Sequence, residues 1–436
     1  MRSDTGALPP LVLDITRSLR RAHISRPSGI DRVESAYLAW ALRRPGGAWL
    51  LAGLGRDPDG QGPRQIALVP PAAAPRLAAG LACPSDEALD LRARLSPWRD
   101  PSQRAAEAAV RRAATAIIAP RPGALAQVLP RPALYLNTGH ENLSEVLLAA
   151  LGAVGIRRIV LLHDLIPITH PAFTVPAAGR RFRTRLAAAL MADLHLYNSA
   201  ATGRGVAAWA AEQGRRPPPG RVLPLGIPAP RPTDPHTLAL PPSAGHFVQL
   251  GTIEGRKNHL LTLTLWRGLS EQGPPETLPH LHIVGRRGWA ADQVFEMLDR
   301  SPARGRTVFE YPAADDATVA ALLAGARALL FPSFAEGYGL PLGEALAAGT
   351  PAIAADLPAL RELGGDVPDW LDPADGAAWL RAIRAYTPEG SPERNAQIAR
   401  MVDWERPSWE AHFAQLETVL ASAEGAPGGG QGGWAR

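Results

Sequence analysis

Lysine and cysteine are almost absent from this chain. Lysine occurs once, at Lys257, so nearly all of the 46 basic residues are arginine. Cysteine occurs once, at Cys83, which excludes an internal disulfide framework and fits a reducing cytoplasm. Cys83 itself reads as inert. There is no apolar run approaching the roughly 18–20 residues of a spanning helix. The opening MRSDTGALPP lacks the continuous apolar core of a secretory signal. Aromatic residues make up only 6% of the chain and are not interleaved with basic ones. The net charge of +5 and pI near 9.8 therefore do not describe a nucleic-acid platform. No metal-ligand cluster stands out, and Asp315-Asp316 reads as a helix cap. A dinucleotide fingerprint is missing too: Gly53-Leu-Gly55 has no third glycine and no helix opens after it, so it reads as a turn. No tandem repeat is visible.

The 436 residues, 46% of them hydrophobic, exceed what one compact core accommodates and call for two domains. The alternation of apolar strands with helical patterns points to α/β domains. The first is expected over 1–222 and the second over 223–405, with Pro217-Pro-Pro-Gly220 and the Pro-rich stretch 224–235 between them. A closing helix is expected over 406–423, and the Gly-rich tail 424–436 should be disordered.

In the first domain, Leu11–Ile15 reads as a strand followed by a basic loop with Arg17, Arg20, Arg21 and Arg26. Pro27-Ser-Gly-Ile-Asp-Arg-Val33 then enters a helix to about Arg43, with Ser28 as N-cap and Gly29 allowing close backbone approach. Strand, glycine loop and helix N-terminus can receive a phosphate, or can be an ordinary connection. Residues 104–119 read as one helix with an Ala/Val/Ile face and an Arg face. Two further strands end in His140 and His163, which places both at the mouth of a parallel sheet. Arg180, Arg181, Arg183 and Arg185 share a helix, either as a solvated face or as a docking surface for anionic lipid carriers or glycan.

In the second domain, the strand 246–251 leads through Thr252-Ile-Glu-Gly-Arg-Lys-Asn258 into a helix. Arg256 and the solitary Lys257 thus stand beside a helix N-terminus, as a diphosphate clamp would. Leu281-His-Ile-Val-Gly285-Arg286 is the next strand and glycine turn. The densest stretch is LLFPSFAEGYGLPLGEALAAGTP, from Leu329 to Pro351. A short buried strand delivers Glu336 on a glycine-flanked loop, and a helix follows with proline in its first turn. Glu344 is the one charged residue between Gly339 and Gly349, so this helix is expected to be buried nearly all round. A buried carboxylate requires donors. Two of them at the carboxyl end of a strand, beside free helix amides, suit a ligand with hydroxyls and a phosphate.

Glu336-Gly-Tyr-Gly-Leu-Pro-Leu-Gly-Glu344 and the Ala-Ala-Gly-Thr-Pro exit resemble the Glu-x7-Glu signature of the family-4 retaining glycosyltransferases. His163-Asp-Leu-Ile-Pro resembles that family's His-Asp-x-x-Pro turn, and Ser28-Gly29-Ile30 resembles its glycine segment. Thr252 departs from relatives that carry arginine there. The resemblance implies a GT-B fold, two Rossmann-like domains facing across a cleft, with the C-terminal helix crossing back to the first domain. It implies a metal-independent, cofactor-free hexosyltransferase working on a nucleotide sugar, with retention by front-face attack. GDP-mannose is favoured among donors, with UDP- and dTDP-sugars as alternatives, and the acceptor would be a growing polysaccharide or lipid-linked saccharide.

By the same resemblance Glu344 takes the ribose hydroxyls, and Glu336 and His163 serve the reacting sugar. Gly29, Arg256, Lys257, Gly285, Arg286, Gly337, Tyr338, Gly339 and Leu340 hold the donor. His140, Arg26 and Arg32 are expected on the acceptor side. The expected location is cytoplasmic, with the Arg-rich first-domain helices open to the inner membrane surface. A sugar-nucleotide epimerase, or a silent glycan- or lipid-binding scaffold on the same fold, is the competing reading.

Overall fold

The computed structural model describes residues 9–22, 28–55, 62–82, 89–94, 100–231, 233–234 and 237–422. Cys83, Arg26 and the Gly-rich tail lie outside them. Two sheets organise the chain. The first comprises β1 (Leu11–Asp14), β2 (Ala48–Leu54), β3 (Gln65–Val69), β4 (Ala116–Ile118), β5 (Ala133–Asn137), β6 (Ile156–Leu162), β7 (Leu194–Tyr197) and β8 (Gly220–Val222). Its strand order is β4-β3-β2-β1-β5-β6-β7-β8, with β2/β3 and β3/β4 antiparallel and the remaining neighbours parallel.

The second sheet comprises β9 (His246–Leu250), β10 (His280–Val284), β11 (Val308–Tyr311), β12 (Ala328–Phe331), β13 (Ala352–Ala355) and β14 (Asp369–Leu371). It is wholly parallel, in the order β11-β10-β9-β12-β13-β14. That is the doubly wound order, whose switch point falls between β9 and β12, and ligands bind beyond the carboxyl ends of those strands. The strands at the centre, such as ALLF in β12 and AIAA in β13, are buried on both faces, as continuous apolar runs in a parallel sheet must be.

Two expected boundaries move. The basic stretch after β1 is not a loop: Thr16–Arg21 is a helix, because its arginines find acids on neighbouring elements. Arg17 and Arg21 bind Asp31 at 2.6 and 2.8 Å, and Arg20 binds Glu141 at 2.6 Å. The helix expected over 104–119 runs only from Pro101 to Ala113. The β-branched Ile117 and Ile118 then pair with Ala67 and Ile66 of β3, where a pleated surface suits them better than a helix.

The closing helix, Trp409–Ser422, crosses back onto the first domain. Phe413 stacks flat on Trp40 at 5.2 Å between centroids. The Tyr37 hydroxyl meets His412 Nε2 at 2.7 Å, and Trp40 donates to Glu417 at 3.1 Å. Leu223, Leu225 and Ile227, between the sheets, are buried in the apolar core that also takes in β1, β12 and Leu416. Trp289 donates to the Phe173 carbonyl at 3.1 Å, a second tie across the two halves.

Candidate active site

The carboxyl ends of β6, β9 and β12 and the N-terminus of helix Gly29–Arg43 converge on one cleft. Glu336 lies at its floor. Its carboxylate meets Lys257 Nζ at 2.5 Å and Arg256 Nη1 at 2.9 Å. Burial works against its charge, but Arg256 and Lys257 outweigh that and hold the carboxyl down to about 2. Lys257 is buried as deeply and rests 4.6 Å from the Phe331 ring centroid. Burial pulls its ammonium below the usual lysine range, with Glu336 opposing. Arg256 also binds Glu254 at 2.7 Å, and Asp164 from the first domain adds a third carboxyl to its surroundings. Burial raises both Asp164 and Glu254, against the pull of Arg256. Neither acid is conspicuous in the sequence, although Glu254 stands two residues before Arg256 and Asp164 directly follows His163.

The loop above is built by close backbone approach. A Cβ on Gly337 would stand 2.2 Å from the His163 carbonyl oxygen. The Gly337 carbonyl accepts from Ser199 Oγ at 3.0 Å, so glycine locks the second-domain loop against the first domain. Gly339 sits at φ +101°, a conformation that glycine adopts without strain, and opens helix Leu340–Ala347. That helix is not buried all round: Leu340, Pro341, Glu344 and Ala347 are partly exposed along the edge that lines the cleft. Glu344 carries a carboxyl raised by burial, and the Arg32 guanidinium counters this by donating to Oε1. Arg32 belongs to helix Gly29–Arg43 of the first domain, so this ion pair spans the cleft. The acceptor-side residue expected from sequence is thus found on the carboxylate expected to hold ribose.

Gly29 faces the same place, since a Cβ there would lie 3.2 Å from Leu340 Cδ1. The turn is fixed by Asp31, which accepts from the Ser28 amide at 2.7 Å. His163 is buried and brought down to about 4 by burial, with the bond to Thr138 opposing. Its Nε2 lies 2.7 Å from the Thr138 carbonyl, and a carbonyl only accepts, so Nε2 carries the proton and Nδ1 the lone pair. His140 packs its ring 4.9 Å behind His163. The His140 Nε2 lies 3.0 Å from the Leu161 carbonyl, which fixes the ring against His163.

The Tyr338 hydroxyl is likewise taken, donating to the Leu225 carbonyl at 2.6 Å. Gly285 closes on the Gly251 backbone, whose oxygen lies 2.0 Å from where a Cβ would stand. Arg287 binds Glu310 and Asp299 at 2.8 and 2.7 Å. Its neighbour Arg286 is half-buried at the end of β10 and makes no ion pair among the described residues. Also among the described residues, no group of three His, Cys, Asp or Glu is arranged to hold a metal ion, and no helix is long and apolar enough to cross a membrane.

Residues 244–387, which hold the Glu336–Glu344 loop and the Arg256–Lys257 turn, match the family described as Glycosyl transferases group 1. Residues 244–387 are thus similar to a group 1 glycosyltransferase domain, and the chain as a whole has the GT-B fold. The serotype-specific mannosyltransferase WbdA of Escherichia coli is 32% identical over an alignment of 225 residues that covers 48% of this chain and 27% of WbdA. The O-antigen chain mannosyltransferase B of Escherichia coli is 31% identical over 170 residues, 38% of this chain and 43% of that protein. The match therefore spans well under half the length of either relative. Among solved structures, Anabaena Alr3699/HepE, crystallised with UDP and glucose, superposes with a TM-score of 0.58 at 15% identity. That match covers 95% of this chain and 100% of that one. At such identity the likeness is one of fold. The sequence likeness to curated relatives covers at most about half of the chain, and the GT-B architecture extends over nearly all of it.

Proposed function

We propose that the protein is a retaining, metal-independent hexosyltransferase that moves a sugar from a nucleotide donor to a growing glycan or lipid-linked saccharide. Mannose from GDP-mannose is the favoured donor. The observation that carries this reading is the pairing of Glu336 with Arg256 and Lys257 on one wall, with Glu344 beside them and His163 and Gly29 opposite. The mannosyltransferase names of the relatives support the sugar, and the UDP in the Alr3699/HepE crystal keeps UDP-sugars in the test.

In this reading Glu344 accepts from the ribose hydroxyls. The amides at the N-termini of helices Gly29–Arg43 and Leu340–Ala347 face the diphosphate, where the positive helix ends stabilise an anion. Arg256 and Lys257 keep Glu336 ionised, so that it accepts from the sugar hydroxyls and orients the ring. His163, neutral above about pH 4, offers an Nδ1 lone pair toward the sugar without competing for a proton. The bond from the anomeric carbon to the diphosphate oxygen breaks and the bond to the acceptor oxygen forms on the same face. The acceptor proton passes to the departing phosphate. Fixed donors around that phosphate supply the dominant catalytic effect.

The test is a thermal-shift panel of GDP, UDP, ADP and dTDP and their sugars on the full chain, followed by a transfer assay with and without EDTA. GDP and GDP-mannose should raise the melting temperature most, and transfer should survive EDTA with the anomeric configuration kept. Binding of no nucleotide diphosphate, or inverted product, would sink the proposal.

A further inference from the structure

We infer that Arg32 is an exchangeable cation of the donor site. It holds Glu344 until a ribose takes that carboxylate, and then turns to the diphosphate. The inference rests on the proposed role of Glu344 as the ribose-binding group.

Arg32 stands in the first turn of helix Gly29–Arg43, and this N-terminus abuts that of helix Leu340–Ala347 through the Gly29–Leu340 contact. Both helices bring their positive N-terminal ends to one spot. Arg32 reaches across from that spot to donate to Glu344 Oε1. The pair is lopsided: the Arg32 side chain is 40% exposed, whereas that of Glu344 is 15% exposed. Glu344 is fixed in the wall, and Arg32 has solvent on one side into which a long, flexible side chain can swing.

Most other cations facing the cleft are bound to acids that a nucleotide would not remove. Arg17 binds Asp31 and Ser28, at 2.6 and 3.1 Å, and Arg21 binds Asp31 at 2.8 Å. Arg256 is shared by Glu254 and Glu336, and Lys257 belongs to Glu336. Three carboxyls (Asp164, Glu254 and Glu336) surround these last two cations and hold them in the wall. Arg32 differs because its acid partner, Glu344, is the very group a ribose would engage. Ribose hydroxyls replace the guanidinium as donors to Glu344, and the displaced guanidinium is then a full positive charge without a partner at the meeting of two helix N-termini. A diphosphate arriving with the ribose repairs that loss, whereas a nucleoside alone does not.

This exchange makes a signature that a simple domain latch or a purely structural role does not. The affinities of guanosine and GDP, and of uridine and UDP, are measured on the full chain by calorimetry or ligand-observed NMR for wild type, Arg32→Ala and Arg32→Lys. The nucleoside–diphosphate pair that wild type binds is then scored. Arg32→Ala should bind the nucleoside about threefold tighter, because its competitor is gone. It should bind the diphosphate about tenfold weaker, because a charge-assisted contact is lost. Arg32→Lys should recover part of the diphosphate affinity. Changes of the same sign for both ligands, or no change in either, overturn the exchange. Should Arg32→Ala not fold, Arg32→Gln carries the same opposite-sign expectation. Failure of wild type to bind any nucleoside diphosphate would instead overturn the proposed function beneath it.

Discussion

Glu336 illustrates what a residue in this cleft needs. Its charge survives burial because Arg256 and Lys257 sit against it, and each of the three depends on the others. Lys257→Met leaves a buried carboxylate half-compensated, and removing one member of such a pair costs about 3–5 kcal/mol. Chemical denaturation should show that loss, together with a fall in transfer rate. Glu34 is a contrasting case. It accepts from the Ser18 amide at 2.6 Å, and burial drives its carboxyl up to about 8 against the Ser18 bonds. A carboxyl raised from 4.5 to about 8 by folding contributes stability below the lower value that is lost as pH rises through the higher one. Glu34→Gln, which keeps the acceptor oxygen, should therefore flatten the decline in melting temperature between pH 5 and roughly pH 8. An unchanged decline would place the titration elsewhere. Residue types alone flagged Glu336, Glu344, Arg256 and Lys257. They did not show that Lys257 and Arg256 neutralise Glu336, because Lys257 alone is 79 residues from it in the chain.

Elements were legible where the apolar pattern was unbroken. β9, β10, β12 and β13 follow from short buried runs, and the helix that starts behind Gly339 follows from its proline. The errors arose where tertiary partners decide: ion pairs drew Thr16–Arg21 into a helix, and pairing with β3 drew Ala116–Ile118 into a strand. Gly337 acts at this scale, since its missing side chain lets the Glu336 loop seat on the end of β6. Gly337→Ala would drive a Cβ into the His163 carbonyl, a backbone atom that cannot step aside. It should cut transfer at least about tenfold, the effect expected when catalytic groups are misplaced by a fraction of an ångström. Wild-type rates in this variant would show that the loop seat is not required. The crossover helix offers a second check. Phe413→Ala removes the ring stacked on Trp40 and should cost about 3–5 kcal/mol, the usual range for a buried phenylalanine, read as a shift in denaturant midpoint.

At the scale of the molecule, buried histidines set the response to acid. Burial brings His163, His195 and His412 to about 4 and His259 and His282 to about 3. The unfolded chain binds protons on these side chains near 6.5, the ordinary value for histidine, while the folded chain refuses them. Stability is therefore intact above that value and falls as pH drops through the window down to about 3–4. Glu336, held at about 2, adds to the loss below 4.5, the ordinary value for glutamate. Melting temperatures should fall steeply from pH 6 to pH 4, and a flat profile would contradict the burial of these rings. The sequence by itself determined that two α/β domains form, because strand-length apolar runs alternate with amphipathic helices over a chain too long for one core. It also singled out Glu336, Glu344, Arg256 and Lys257 as the candidate site, because two carboxylates and the lone lysine stand beside glycine turns. Only the tertiary structure decided which charge meets which. Arg32 reaches Glu344 across 312 positions of chain, and such a pairing is set by the packing of two domains that no local pattern records.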